Sequence, residues 1–83
     1  MYEIIFYDKA KSQLKKLPVN LRHRIFQSLE RIKIRPYHFI KRKEGTPYFV
    51  FRVGDYRIIL DIRKQKLIIF VVELGPRKKI YKK

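Results

Sequence analysis

The chain has 83 residues, and its 22 lysines and arginines against 7 acidic residues give a formal net charge of +15. This length suits one domain, and the absence of cysteine excludes disulfides and thiolate metal sites. A folded domain this basic repels itself, so we expect a polyanionic partner: nucleic acid first, an acidic protein next, and an anionic membrane surface last.

The first predicted element is a β-strand. Residues 2–7, YEIIFY, are β-branched and aromatic, which favours a strand. The chain then turns polar, unlike a signal peptide, and its longest apolar run, residues 67–72, is far shorter than the roughly 20 residues of a membrane span. We therefore expect a cytoplasmic protein.

Two helices are predicted next. Asp8 is the candidate N-cap of the first, in which Ala10, Leu14 and Leu17 recur at helical spacing until Pro18 ends the pattern. Asn20 is the candidate N-cap of the second, which ends near Arg35-Pro36. The second helix carries an apolar stripe of Leu21, Ile25, Leu29 and Ile32.

The segment RPYHFIKRKEGTP, residues 35–47, is predicted to be a loop, closed by Gly45 and Pro47. Its basic run of Lys41, Arg42 and Lys43 is expected to bind RNA backbone in a salt-sensitive contact that does not depend on base sequence. The isolated histidines do not suggest a metal site, and we expect no cofactor.

Three strands complete the chain, over residues 48–53, 55–62 and 66–74, and Gly75-Pro76 is predicted to break the last one. The order β-α-α-β-β-β over residues 1–83 predicts one α+β domain. The helices are expected to pack on one face of a small, mainly antiparallel sheet and to leave the other face open.

The stretch RVGDYRIILDI predicts a hairpin with a type II′ turn at Gly54-Asp55. Such a turn places Arg52 directly across from Arg57 on the open face, where opposed like charges destabilise the sheet. Either an anion binds between the two guanidinium groups or both extend into water. A four-residue turn at 63–66 would add Ile68, Phe70 and Val72 to this face, which also suits an acidic, amphipathic protein.

The same hairpin, followed by a strand and then GPRKKIY, resembles the RelE-like toxins of the RelE/ParE toxin-antitoxin superfamily. The N-terminal half, YDKAKSQLKKLPVNLRHRIFQSLERI, is similar to the paired helices of that family, and the resemblance spans nearly the whole chain. It implies a toxin that enters the ribosomal A site and cuts mRNA there without a metal ion, by attack of a 2′-OH on the neighbouring phosphate. It also implies an acidic, RelB-like antitoxin as partner.

The resemblance further assigns roles to single residues. Arg57 and Arg77 match family arginines that stabilise the reacting phosphate, and Tyr81 matches a tyrosine that takes part in proton transfer or orients the RNA. Tyr48 and Val50 stand where RelE has lysines, so the general base is either Tyr81 or a lysine of the loop. The remaining RNA-binding candidates are Arg52, Lys41, Arg42, Lys43, Lys78 and Lys79.

Three other functions stay open. A toxin of this fold can block translation without cutting RNA, or it can inhibit DNA gyrase as ParE relatives do. A plain RNA-binding domain without a toxin role also fits the charge.

Overall fold

The computed structural model describes residues 1–76 of the chain. Its elements are β1 (Glu3–Phe6), α1 (Asp8–Lys15), α2 (Val19–Ile32), a 3₁₀ turn (Pro36–His38), β2 (Ile40–Arg42), β3 (Phe49–Val53), β4 (Tyr56–Arg63) and β5 (Ile68–Pro76). The predicted α+β architecture is confirmed.

Within this part of the chain, five strands form one sheet in the order β1-β5-β4-β3-β2. The first strand runs parallel to β5, and every other neighbouring pair is antiparallel. β1 therefore lies at one edge of the sheet and β2 at the other. After the two helices, β2, β3, β4 and β5 follow one another from that second edge towards β1.

Both helices pack on the same face of the sheet. Ala10 and Leu14 of α1 and the α2 stripe residues Ile25, Leu29 and Ile32 are all less than a tenth exposed. They join the sheet residues Phe51, Val53, Ile58, Leu60, Ile69, Val71 and Leu74 in one apolar core. We call the opposite face, which carries the alternate residues of each strand, the distal face.

Both predicted N-caps are wrong. The N-cap of α1 is Tyr7 and that of α2 is Pro18, and neither makes a side-chain capping hydrogen bond. Asp8 instead lies in the first turn of α1, where its negative charge interacts favourably with the helix dipole. Pro18 has an extended backbone (φ −57°, ψ 150°), and α2 begins at Val19. Asn20 therefore lies inside the first turn of the helix and is not its N-cap.

The predicted loop at residues 35–47 contains a short edge strand. Ile40 of β2 pairs with Phe51 of β3, and Ile40 packs against the core. Two basic residues in a strand of three residues hide the strand pattern. Charged side chains on a short edge strand also discourage pairing with another molecule.

The last strand continues through Gly75-Pro76, contrary to the prediction. Pairing with β1 ends at Val71, and beyond it the Leu74 N–H donates to Gln13 Oε1 at 2.7 Å. The nitrogen of Pro76 faces the same side as that of Leu74, because the two are two residues apart. A missing N–H is tolerated where no strand neighbour requires it.

The turn between β4 and β5 spans residues 64–67, one residue later than predicted. Ile62 pairs with Ile69 and Arg63 pairs with Ile68, so Ile68 and Phe70 lie on the distal face, as predicted. Val72 lies at a β-bulge, where the pairing moves from Leu60–Val71 to Ile59–Glu73.

Candidate nucleic-acid interface

The hairpin between β3 and β4 has the predicted register. Arg52 pairs with Arg57, and Val53 pairs with Tyr56 next to the turn. Gly54 has a φ of 59°, whereas Leu67 is the only non-glycine residue of the described part with a positive φ. Asp55 therefore has a negative φ, which distinguishes the predicted type II′ turn from type I′.

The two arginines of this hairpin differ in depth. Arg57 is 3% exposed, and Arg52 is exposed. The reading in which both guanidinium groups extend into water is therefore wrong for Arg57. A guanidinium in this position stays charged, and burial strengthens its interaction with any anion that reaches it.

An aromatic ring lies beside Arg52. Phe39 directly precedes β2, and its side chain lines two pockets together with Arg52. On the other side of the hairpin, Arg57 pairs with Gly75. We call Phe39 and the three paired strand residues Arg52, Arg57 and Gly75 the arginine row.

The basic run at residues 41–43 is divided between the two faces. Lys41 pairs with Val50, and the N–H of Lys43 donates to the Tyr48 carbonyl at 2.9 Å, so both lysines are one strand away from positions 48 and 50. The guanidinium carbon of Arg42 lies 5.7 Å from the centre of the Phe49 ring. Phe49 packs against the core, so Arg42 covers the edge of the helix side.

Three carboxylates of the described part form ion pairs, all with cations outside the β2–β3 end of the sheet. Asp61 accepts from Arg63 at 3.0 Å, and Glu73 lies 2.8 Å from Lys9. The hydrogen bond from Arg63 to Asp61 raises the pKa of the arginine. No ion pair within residues 1–76 includes Lys41 or Arg52, which leaves this end of the distal face strongly cationic.

The other end of the distal face is apolar and aromatic. Ile5 and Tyr7 of the β1 side are each 37% exposed. The ring centres of Tyr7 and Phe70 are 5.5 Å apart, and the guanidinium of Arg63 lies 5.9 Å from the centre of the Phe70 ring. We call Ile5, Tyr7, Ile68 and Phe70 the β1–β5 patch.

Four predicted site residues lie outside the described residues: Arg77, Lys78, Lys79 and Tyr81. Their assignments stay predictions. The last described residues, Gly75 and Pro76, pair with Arg57 and Tyr56. Arg77 therefore follows directly in sequence from the strand end that adjoins Arg57.

Sequence reasoning missed Phe39, and it expected the arginines of α2 to bind RNA backbone without placing Arg24 at the hairpin. Phe39 lay in a segment predicted as a loop, and no periodicity distinguished it. Arg24 of α2 reaches the hairpin turn from the helix side, where its Nη1 lies 3.2 Å from the position that a Cβ on Gly54 would take.

The described part of the chain does not contain a metal site. Residues 1–76 contain no group of three or more histidine, cysteine or acidic side chains placed to hold a metal ion. His23 and His38 are exposed. None of the helices described here has the length and apolar character needed to cross a membrane.

A family model of the ParE toxin of type II toxin-antitoxin systems matches residues 4–81. The chain belongs to this toxin family. The predicted resemblance to the RelE/ParE superfamily is thereby confirmed, and the chain is a toxin of the type II class. A search of curated proteins found no match.

Solved RelE structures share the fold of this toxin. A chain of the RelBE toxin-antitoxin complex from Mycobacterium tuberculosis is 23% identical with a TM-score of 0.82, over 92% of this chain and 98% of that one. A chain of the intact Escherichia coli RelBE complex is 20% identical with a TM-score of 0.80, over 92% of this chain and 96% of that one. A chain of the RelB-RelE complex from Methanococcus jannaschii is 26% identical with a TM-score of 0.72, over 93% of this chain and 94% of that one.

Proposed function

We propose that this toxin is a ribosome-dependent mRNA endonuclease, which inhibits translation by cutting the message in the A site without a metal ion. The observation that carries the proposal is the Arg52–Arg57 pair on the distal face, with Arg57 buried at 3% exposure. The proposal extends the family membership with a chemical reaction that these residues suit.

The reaction begins when a ribose 2′-OH attacks the adjacent phosphate. The O2′–P bond forms and the P–O5′ bond breaks, so the products carry a 2′,3′-cyclic phosphate and a 5′-OH. Negative charge grows on the non-bridging oxygens in the transition state. A planar guanidinium donates two parallel hydrogen bonds to such oxygens, and one well-placed donor is worth roughly 10² to 10³ in rate. Arg57 and Arg77 take this role in the proposal.

The reaction also moves two protons. One leaves the attacking 2′-OH, and one reaches the departing 5′ oxygen. Lys41 is a candidate for one transfer because it pairs with Val50, two residues along β3 from Arg52. Tyr81 is the candidate for the other transfer, as the family resemblance implies.

The proposed partners are the ribosome with its mRNA, in the cytoplasm, and an acidic antitoxin. The similar structures named above are toxin-antitoxin complexes, which supports an antitoxin for this chain. A net charge of +15 attracts an acidic protein, and the β1–β5 patch offers apolar surface to an amphipathic segment that folds as it binds.

Inhibition of DNA gyrase is the second candidate function. It is favoured by one observation, namely that the matching family model is that of the ParE toxin. A toxin that blocks translation without cutting would use the same cationic surface, and a plain RNA-binding domain is disfavoured by the family membership.

Two assays separate these functions. Purified toxin is added to ribosomes that hold a defined mRNA, and the cuts are mapped by primer extension, alongside the same mRNA without ribosomes. The proposal expects cuts at the A-site codon only when ribosomes are present, with no effect of EDTA at a concentration that leaves ribosomes intact. Loss of gyrase supercoiling activity with uncut mRNA would replace it with the gyrase function.

A further inference from the structure

A pocket of about 390 Å³ lies on the distal face at the β2–β3 edge. Its volume falls within the usual range for small-ligand sites. The lining includes Phe39, Lys41, Lys43, Glu44, Val50 and Arg52. The pocket therefore begins at the arginine row and extends to the two lysines of the β2 edge.

The Phe39 ring is the main apolar feature of this pocket. It is 47% exposed although it lies among cationic side chains. A second, smaller pocket places Phe39 beside Ile32 and Phe51 of the core side. The ring thus borders both pockets, and its centre lies 6.0 Å from that of the His38 ring.

The charges around the ring select the ligand class. Four positive charges come from Lys41, Arg42, Lys43 and Arg52, and Glu44 contributes one negative charge. A ligand that complements this arrangement has a flat, weakly polar body and carries negative charge beside it. A nucleotide has both properties, since its base stacks on aromatic rings and its phosphate pairs with cations.

We propose that this pocket binds the base of a nucleotide whose phosphate pairs with Arg52, next to the reacting phosphate at Arg57, with Phe39 as the stacking residue. The proposal rests on the RNA cleavage proposed above and adds a site for one base to it. An acidic peptide fits the pocket less well, because an amphipathic helix needs a row of apolar contacts and the pocket offers one ring.

The test compares two ligands that share a phosphate. Isotope-labelled toxin is titrated with adenosine 5′-monophosphate and with ribose 5-phosphate, which lacks the base, and amide shifts give each Kd. We expect the nucleotide to bind about tenfold more tightly. The Phe39→Leu variant, which keeps apolar bulk without a ring, is expected to lose this difference, and Phe39→Trp is expected to keep it.

Tyr37 provides the matched control. It is 46% exposed, and its ring contacts Phe49, 5.5 Å away between centres, outside the pocket. Tyr37→Leu is expected to leave the tenfold difference unchanged. Amide spectra with native dispersion establish that each variant is folded.

Three outcomes would overturn the pocket assignment: equal Kd values for the two ligands, a difference that survives in Phe39→Leu, or a decaglutamate peptide that binds at Phe39 more tightly than the nucleotide. The titration contains no ribosome, so its result tests the pocket independently of the proposed mRNA cleavage. Nucleotide binding without mRNA cleavage contradicts the cleavage proposal alone, and cleavage without base binding contradicts the pocket alone.

Discussion

The two ends of the distal face belong to the same sheet, yet they satisfy their charges differently. At the β1–β5 end, Arg63 pairs with Asp61 and Lys9 pairs with Glu73. At the β2–β3 end, Lys41 and Arg52 enter no ion pair with residues 1–76. The first end is left with aromatic and aliphatic surface, and the second with excess positive charge.

This difference indicates two kinds of partner. Exposed apolar surface is covered most effectively by another protein, because removing it from water is favourable whatever the charge of the partner. Excess positive charge attracts an anion, and a pocket of about 390 Å³ lies beside Phe39 and Arg52 of the arginine row. One face therefore suits an antitoxin at one end and RNA at the other.

The largest expected effect comes from Arg57. Arg57→Gln removes a proposed phosphate donor, and we expect the rate of mRNA cleavage on ribosomes to fall roughly 10² to 10³-fold. Arg24→Gln is the control, since it removes the same charge next to the same turn from the helix side. A single-turnover rate for Arg57→Gln within a few-fold of wild type would remove Arg57 from the site.

The β1–β5 patch is tested by Phe70→Lys. Burial of an aromatic side chain is worth about 1.5 to 3 kcal/mol, so loss of the contact should raise the antitoxin Kd by at least about tenfold. Leu67→Lys on the adjacent turn introduces the same lysine at an apolar residue that is 46% exposed and outside the patch. Calorimetric titration with the antitoxin measures both, and equal effects would place the antitoxin elsewhere.

The cationic end is tested by the salt dependence of RNA binding. Each contact between a lysine and a phosphate contributes about 0.7 to the slope of log K against log salt for single strands. The double variant Lys41→Gln/Lys43→Gln should therefore lower the slope by about 1.4. Lys64→Gln/Lys66→Gln, which alters the β4–β5 turn, removes the same charge. An identical decrease of the slope in both double variants would mean that RNA binds the β2–β3 end and the β4–β5 turn equally.

The smallest expected effect concerns the end of β5. Gln13→Leu leaves the Leu74 N–H without its acceptor and should lower the free energy of unfolding by about 1 kcal/mol. Gln13→Glu keeps an oxygen at this position and should retain most of the stability. Urea denaturation monitored by circular dichroism measures both, and equal stabilities of wild type and Gln13→Leu would contradict this role of the side chain.

The sequence predicted those parts of the fold that depend on local rules. The Gly-Asp turn determined the register of Arg52 and Arg57, and the stripe of α2 determined which side of that helix is buried. Tertiary contacts decided the rest. Gln13 takes the place of a strand neighbour beside Leu74, so β5 continues through Pro76, and no pattern in the sequence shows this contact.

For the candidate site, too, the sequence predicted the strand positions of the residues but not their depth in the protein. Alternation along a strand assigns Arg57 to a face, but it does not determine how deeply neighbouring groups bury the side chain. Phe39 was missed because its position depends on the pairing of β2, a strand of three residues. The roles of Arg77 and Tyr81 rest on the family resemblance, since both lie outside the described residues.

The central claim is that the arginines act together on one RNA phosphate. Its most direct test is primer-extension mapping on programmed ribosomes with wild-type toxin, Arg57→Lys and Arg77→Ala. We predict A-site cuts by the wild type and a loss of roughly 10²-fold or more for each variant, because a lysine cannot reproduce the guanidinium fork. Undiminished cutting by both folded variants, or no cutting by ribosome-bound wild type, would contradict the account.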